Sequence, residues 1–168
     1  MVRGADWLPE FDQEMTSTRK VLERVPEDRL SWRPHPKSWT LAELATHVAG
    51  IGAWTAPALQ WSELDLASPS APPNPKPVAS RTELLALFEG MLPAARAALA
   101  AADAATFSLP WSLRAGEQVF FTMTRGTVLR TFVMNHLIHH RGQLEVYLRM
   151  NDVPLPAIYG PSGDEDGM

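Results

Sequence analysis

A run of ten residues, Asn135–Leu144, places histidines in a stretch whose apolar residues recur at helical spacing. On a helical wheel at about 100° per residue with His136 at zero, His140 lies at about 40°. Leu129 and Tyr147 lie at about 20° on the same wheel. The two histidines therefore flank the predicted centre of a buried stripe, where a core helix would normally carry leucine.

Two buried imidazoles one helical turn apart need a common explanation. Both ring nitrogens of a buried imidazole need partners, and an unpaired buried polar group costs roughly 1–3 kcal/mol. Side chains at positions i and i+4 stand one above the other and can direct their lone pairs at one metal ion. The alternative is that each imidazole is hydrogen-bonded to a backbone carbonyl or to water. The pair alone does not decide between the two.

A third histidine lies on an earlier predicted helix. Thr40 and Glu43 have the spacing of a capping box, which predicts the start of a second helix and commits Glu43 to its cap. With His47 at zero on the wheel, Leu44 lies at about 60° and Ile51 at about 40°. His47 therefore occupies the middle of an apolar stripe.

Composition narrows the chemistry of any site. The 168 residues are enough for one domain, and the net charge of −4 without a lysine or arginine cluster argues against nucleic acid as a partner. The chain has no cysteine, so a metal must be held by histidine and carboxylate. That donor set favours zinc, nickel, iron or manganese over copper(I) or a cluster.

The sequence predicts a cytoplasmic protein without a membrane partner. Met1–Trp7 lacks the apolar core of a signal peptide, and no apolar run approaches membrane-spanning length.

The apolar periodicity predicts an all-α fold, a four-helix bundle formed by one domain over residues 1–168. A long surface loop, Glu63–Ala79, connects helices two and three, and an irregular crossover, Phe107–Met123, precedes helix four. The alternative for the crossover is a short hairpin, against which Pro110 argues. Residues 160–168 are expected to form a flexible tail. The predicted helices are Trp7–Leu22, one from Thr40, one from Ser80 with a kink at Pro93, and one from Thr124 to about Met150.

The far side of the last predicted helix suggests a second contact surface. Met134 and Ile138 lie at about 160° and 200° from His136, on the side to which Arg141 is expected to point. Exposed apolar residues there predict a homodimer. The alternative is that the long loop or the crossover covers them. Gly142 is expected to mark a close approach of two helices.

Three histidines from two helices would converge inside such a bundle. His47, His136 and His140 form the candidate metal site, and three protein ligands leave coordination positions open, as catalytic sites do. His139 lies at the edge of the stripe and is the alternative to His140. Gln143 and Tyr147 face the same way, and either could orient a ligand or a substrate. Their alternative role is core packing.

Three segments together resemble the DinB/YfiT-like family over nearly the whole chain. They are Thr40–His47, Asn135–Leu144 with its pattern HxxHHRGQL, and Val153-Pro154 followed by Tyr159–Ser162. The resemblance implies a four-helix bundle of up-down-down-up order, often dimeric, with a divalent metal held by three histidines. The motif maps these ligands to His47, His136 and His140.

The resemblance also suggests a chemistry. Family members with known activity are metal-dependent thiol S-transferases or isomerases that use bacillithiol, mycothiol or glutathione. By this resemblance we expect transfer of a small thiol, or metal-activated water, to an electrophilic small molecule. Trp39, Trp54 and Phe132 are candidates to shape its pocket, with core packing as the alternative. The rival functions are a non-catalytic, dimeric, stress-related metal-binding bundle and a metal-dependent hydrolase.

Overall fold

The structure is a computed structural model that describes residues 3–71 and 75–166, most of which are helical. Short 3₁₀ turns occupy Gly4–Trp7, Glu27–Arg29 and Ile51–Trp54, and a π-helical segment occupies Leu129–Asn135. The strands are β1 (Glu63–Asp65), β2 (Pro110–Ala115) and β3 (Gln118–Thr124). The α-helices are α1 (Leu8–Leu22), α2 (Leu41–Gly50), α3 (Thr55–Gln60), α4 (Arg81–Ala101), α5 (Ala104–Ser108), α6 (Arg125–Val128) and α7 (His136–Arg149).

The main core lies between four of these helices. α1 packs against α4 and α7, and α2 packs against the same two helices. The interior is filled by large apolar side chains with almost no exposed surface, including Phe11, Leu41, Leu84, Leu99 and Leu144. Burial of this apolar surface is the main force that holds the helices together.

Two of the four predicted helix starts, those at Thr40 and Ser80, are confirmed by their caps. The Thr40 hydroxyl accepts a hydrogen bond from the Glu43 backbone N–H (3.2 Å), and the Glu43 carboxylate accepts one from the Thr40 N–H (2.6 Å). At α4 the Ser80 hydroxyl accepts from the Glu83 N–H (3.1 Å), while the Glu83 carboxylate reaches one residue further back, to the N–H of Ala79. The helix then continues through Pro93 to Ala101.

The chain is mostly helical, as expected, but the expectation that it is all-α is wrong, because it also forms a three-stranded sheet. β2 pairs antiparallel with β3 and parallel with β1. The segment predicted as an irregular crossover is therefore a hairpin, and its turn places Gly116 at φ +59°. β1 lies in the predicted long loop, of which residues 72–74 are outside the described part. The up-down-down-up order of the helices stays a prediction.

The sheet is anchored to the helices through a second apolar cluster. Trp111 of β2 is fully buried and packs with Ala58, Leu64 and Val128. Its indole N–H donates to the carbonyl of Pro57 (3.2 Å). The hairpin is thereby fixed beside the segment that leads into α7.

The buried face of α7 does not coincide with its histidine face. Leu137, Leu144 and Leu148 are completely buried, and on the wheel they lie at about 100°, 80° and 120° from His136. His136 and His140 are only half-buried. The histidines therefore border the core of the bundle instead of forming its centre.

Because of this rotation, the side of α7 that was predicted to face outward is largely buried. Met134 and Arg141 are both about 1% exposed, so the expectation that they point outward is wrong. Ile138 is half-buried, and Gly142 is exposed with no atom within 4 Å of the position that a Cβ would take, so it marks no close helix approach. The apolar patch that suggested a homodimer is thus largely covered within one chain.

Arg141 belongs to a buried polar network that joins α7 to α1. Its guanidinium forms an ion pair with the Glu14 carboxylate (2.7 Å) and donates to the Thr18 hydroxyl (3.3 Å). It also donates to the hydroxyl of Tyr159 (2.7 Å), which in turn donates to Glu14 (2.9 Å). The segment after α7 is thereby held against the same two helices.

The predicted flexible tail makes several contacts with the rest of the chain. Asp164 pairs with Arg149, and Glu165 pairs with Arg24. The Asp164 carboxylate also accepts from the Leu155 N–H (2.8 Å). Flexibility of residues 160–166 stays a prediction, and residues 167–168 lie outside the described part.

α4 meets the length and composition expected of a membrane span, a test that core helices also pass. The prediction that no apolar run approaches this length is therefore wrong for α4. Leu84 and Phe88 of this helix are nevertheless fully buried in the core, and Arg96 forms an ion pair with Asp12 of α1.

Arg141→Leu is expected to lower the free energy of unfolding by about 3–5 kcal/mol, because it leaves the Glu14 carboxylate buried without its charge partner. Arg149→Leu is the matched control: it removes a partly exposed ion pair with Asp164 and should cost less than about 1 kcal/mol. Urea denaturation of both variants measures the difference. Equal losses of unfolding free energy in the two variants would show that the buried ion pair contributes no more to stability than the exposed one.

Candidate metal centre

Three histidines from two helices meet at one point. His47 comes from α2, and His136 and His140 come from successive turns of α7. One ring nitrogen from each residue lies within 4.8 Å of the others, and the Nε2 atoms of His47 and His136 are 3.1 Å apart. Tetrahedral zinc with Zn–N bonds of about 2.0–2.1 Å sets its nitrogen ligands about 3.4 Å apart. The spacing therefore suits one shared ion.

Hydrogen bonds on the far side of two rings fix the direction of their lone pairs. His136 Nδ1 donates to the carbonyl of Phe132 (3.3 Å), and His140 Nδ1 lies 2.7 Å from the side-chain oxygen of Gln143. Because these oxygens can only accept, the protons sit on Nδ1, and the Nε2 atom of each ring carries the lone pair that faces the cluster. Metal-ligating histidines are commonly oriented by such bonds.

Burial keeps the three imidazoles uncharged. Burial, together with smaller contributions from the nearby rings of His140 and His136, lowers the pKa of His47 from 6.5 to about 4. Burial is also the largest cause that lowers the pKa of His136 and of His140. Neutral imidazole is the form that coordinates a metal, so this donor set fits a divalent ion at neutral pH.

The other candidates at the site take different positions. His139 is exposed and does not belong to the cluster, so the geometry favours His140 over it. Gln143 bonds to His140 as expected for a residue that orients a ligand. The Tyr147 ring packs edge-on against Trp32 at 5.5 Å, and within the described residues its hydroxyl makes no hydrogen bond to the histidines. Glu43 is held in its helix cap.

An open pocket of 480 Å³ lies beside His140. Trp39 forms one wall: its ring is 5.7 Å from the His140 ring and 5.0 Å from the His47 ring. Of the other aromatic candidates, Phe132 stacks on Phe121 at 4.5 Å and Trp54 packs against both apolar clusters. Phe132 and Trp54 therefore pack in the core, which was the alternative role for them.

Val25–Lys37 contains three prolines and precedes α2 as an extended connector by its sequence. Sequence reasoning assigned it no function, yet its end lines this pocket. Lys37 and Ser38 lie at its rim, next to Trp39. The prolines of the connector indicated extended backbone, whereas the Ser38 N–H donates to the carbonyl of His35 (2.9 Å) and closes a turn. His35 itself is exposed.

Comparison with known proteins identifies the family. Residues 10–144 match the family model described as the DinB superfamily. The chain belongs to the DinB superfamily. This DinB superfamily member is 29% identical over 164 residues to the uncharacterized protein YrdA of Bacillus subtilis strain 168, an alignment that covers 95% of the chain and 89% of YrdA.

Solved structures of DinB-like proteins share the fold. A DinB-like protein from Bacillus cereus ATCC 10987 has a TM-score of 0.67 at 22% identity, covering 92% of this chain and 97% of the other. The DinB-like protein YjoA from Bacillus subtilis has a TM-score of 0.66 at 20% identity, with coverages of 87% and 92%. At these identities the likeness is one of fold.

Gln143→Leu is expected to weaken metal binding by about 10- to 100-fold, because His140 loses the bond that orients its ring. Gln118→Leu, on the exposed strand β3, is the control and should bind as the wild type does. Competition with a chromophoric chelator measures both affinities. Unchanged affinity in Gln143→Leu would show that the hydrogen bond does not support a metal ligand.

The depressed pKa of His47 predicts a pH dependence of stability. In the unfolded chain the imidazole titrates near 6.5, but in the fold it titrates near 4. Between these values the unfolded chain binds a proton that the fold does not, so the metal-free protein loses stability as the pH falls through this window. Above pH 6.5 the effect is absent. Urea denaturation from pH 7 to pH 4.5 measures the free energy of unfolding, which should fall less steeply with pH in His47→Gln than in the wild type. Identical slopes in the two proteins would contradict the lowered pKa of His47.

Proposed function

We propose that this DinB superfamily member is a divalent-metal-dependent enzyme that transfers a small thiol, or water, to an electrophilic substrate. The observation that carries the proposal is the convergence of three neutral imidazoles, from His47, His136 and His140, beside an open pocket. Three protein ligands leave coordination positions for small molecules, as in catalytic sites.

The proposed ion has a defined chemical role. When bound, a divalent ion would act as a Lewis acid and lower the pKa of a thiol, which is otherwise near 8.5 and mostly protonated at neutral pH. The chain supplies the surroundings: the Phe132 carbonyl and Gln143 hold two of the rings in place. Trp39 covers one side of the cluster and limits its contact with water.

Other parts of the proposal rest on the sequence. We retain zinc, nickel, iron or manganese as the candidate ions, since imidazole and an absence of thiolates suit them. A small-molecule substrate and a cytoplasmic location are also retained. The homodimer now rests on family resemblance alone, because Met134, which suggested it, is buried within the chain.

A second candidate function is a non-catalytic metal-binding bundle. The three histidines lie on α2 and α7, so a bound ion would cross-link two core helices. A ligand that binds only the folded state stabilises it. In that case removal of the metal should lower the melting temperature strongly, and no substrate would be turned over.

The enzyme proposal is tested with protein stripped of metal and reloaded separately with each candidate ion. Each form is assayed with several low-molecular-weight thiols against a generic fluorogenic electrophile. Turnover should require both the ion and a thiol. His136→Ala should reduce it at least about 100-fold, because it removes a metal ligand and thereby the activated thiol.

His139→Ala is a closely matched control, since it removes a neighbouring imidazole that lies outside the cluster. It should retain the wild-type rate. Turnover indifferent to metal and thiol, or equal losses in both variants, would reject the proposal. Metal-dependent turnover of an ester without any thiol would indicate the hydrolase instead.

A further inference from the structure

The pocket beside His140 exposes apolar surface that a ligand could cover. Trp39 is 46% exposed and Val146 is 57% exposed, although both are large apolar residues. Together with the ring of Tyr147 they form the walls of the pocket. Ligand sites typically combine such apolar walls with a few fixed polar groups.

The charged group in this pocket is a cation. Lys37 lines it, and none of the described lining residues is acidic. Lys37 takes part in no ion pair among residues 3–71 and 75–166, whereas most arginines do. In a chain with a net charge of −4, this gives the pocket a local preference for an anion.

The backbone that carries Lys37 is held in position. The Lys37 N–H donates to Nδ1 of His35 (3.1 Å), and the Ser38 N–H donates to the His35 carbonyl (2.9 Å). Pro34 and Pro36 restrict the same turn further. The ammonium group therefore extends from a fixed point at the rim of the pocket.

We propose that this pocket binds a small organic carboxylate with a flat apolar body. The carboxylate pairs with the Lys37 ammonium, and the body lies against Trp39 and Val146, next to His140. The claim that the bound molecule is a reactant rests on the proposed function, whereas the claim that it binds does not. The carboxylate belongs either to the electrophile or to the thiol.

Calorimetric titration of the metal-free, full-length protein tests the binding claim. The probes are 3-phenylpropionate and its neutral analogue 3-phenylpropanamide, which differ in charge but share the same apolar body. The carboxylate should bind roughly three- to tenfold more tightly, as expected for one charge-assisted contact at a solvent-exposed rim. Equal affinities, or no binding of either probe, would overturn the proposal.

Variants separate the two parts of the recognition. Lys37→Gln should abolish the preference for the carboxylate, and Lys20→Gln, which removes a lysine elsewhere on the surface, should preserve it. Trp39→Ala should weaken the binding of both probes equally, because it removes an apolar contact and no charge. Circular dichroism confirms that each variant folds. Persistence of the preference in Lys37→Gln would overturn the role of this lysine.

A third probe, 2-mercapto-3-phenylpropionate, assigns the carboxylate to one reactant. If metal loading tightens the binding of this thiol much more than that of 3-phenylpropionate, one molecule can hold its carboxylate at Lys37 and its sulfur at the ion, which supports a carboxylate on the thiol. Equal effects on the two probes support a carboxylate on the electrophile. Failure of the metal-dependent assay would leave the carboxylate preference of the metal-free protein intact. Equal affinities for the carboxylate and the amide would leave open whether turnover requires metal and thiol, so the two proposals fail separately.

Discussion

The buried ion pair between Arg141 and Glu14 sets the rotation of α7 about its axis. Both side chains are almost inaccessible to water, and a buried charge without its partner is strongly destabilising. α7 therefore cannot turn Arg141 away from α1. His136 and His140 lie roughly 100–140° around the helix from Arg141, and this angle directs them towards α2. The position of the candidate metal centre follows from a contact on another face of the helix.

The half-burial of the histidines gives them two properties that a fully buried or a fully exposed cluster would not combine. Enough water is excluded to hold the pKa of all three rings below its usual value, so the imidazoles are neutral ligands. Enough surface remains for a pocket to open beside His140. A site at the border of the core can therefore both bind an ion and admit a small molecule.

Local patterns predicted the parts of the structure that depend on neighbouring residues in the chain. The Thr40 cap and the start of α4 follow from spacing within one helix. The expectation that His47 lies in the middle of a buried stripe is wrong, because His47 is only half-buried and, with Glu43 and Gly50, lies on the least buried side of α2. The rotation of α7 was predicted wrongly, because the predicted stripe was centred on Leu129 and Tyr147. Leu129 lies in a π-helical segment, whose wider turns change the phase of the wheel. Leu137, Leu144 and Leu148, within α7 itself, mark the true core face.

The sheet escaped prediction for a different reason. Pro110 argued against a strand, but it occupies the first position of β2, where proline is tolerated. β1 spans only Glu63–Asp65 and pairs with a strand far away in sequence, so no local signal identifies it. The buried Arg141 was likewise invisible, since its partner Glu14 lies on α1.

An anomalous difference map from crystals of protein purified without a nickel column would show directly whether the three histidines share one ion. We expect one peak per chain, with the Nε2 atoms of His47, His136 and His140 at about 2.0–2.2 Å from the ion. A peak at other residues, or an ion bound to a single one of these histidines, would contradict it.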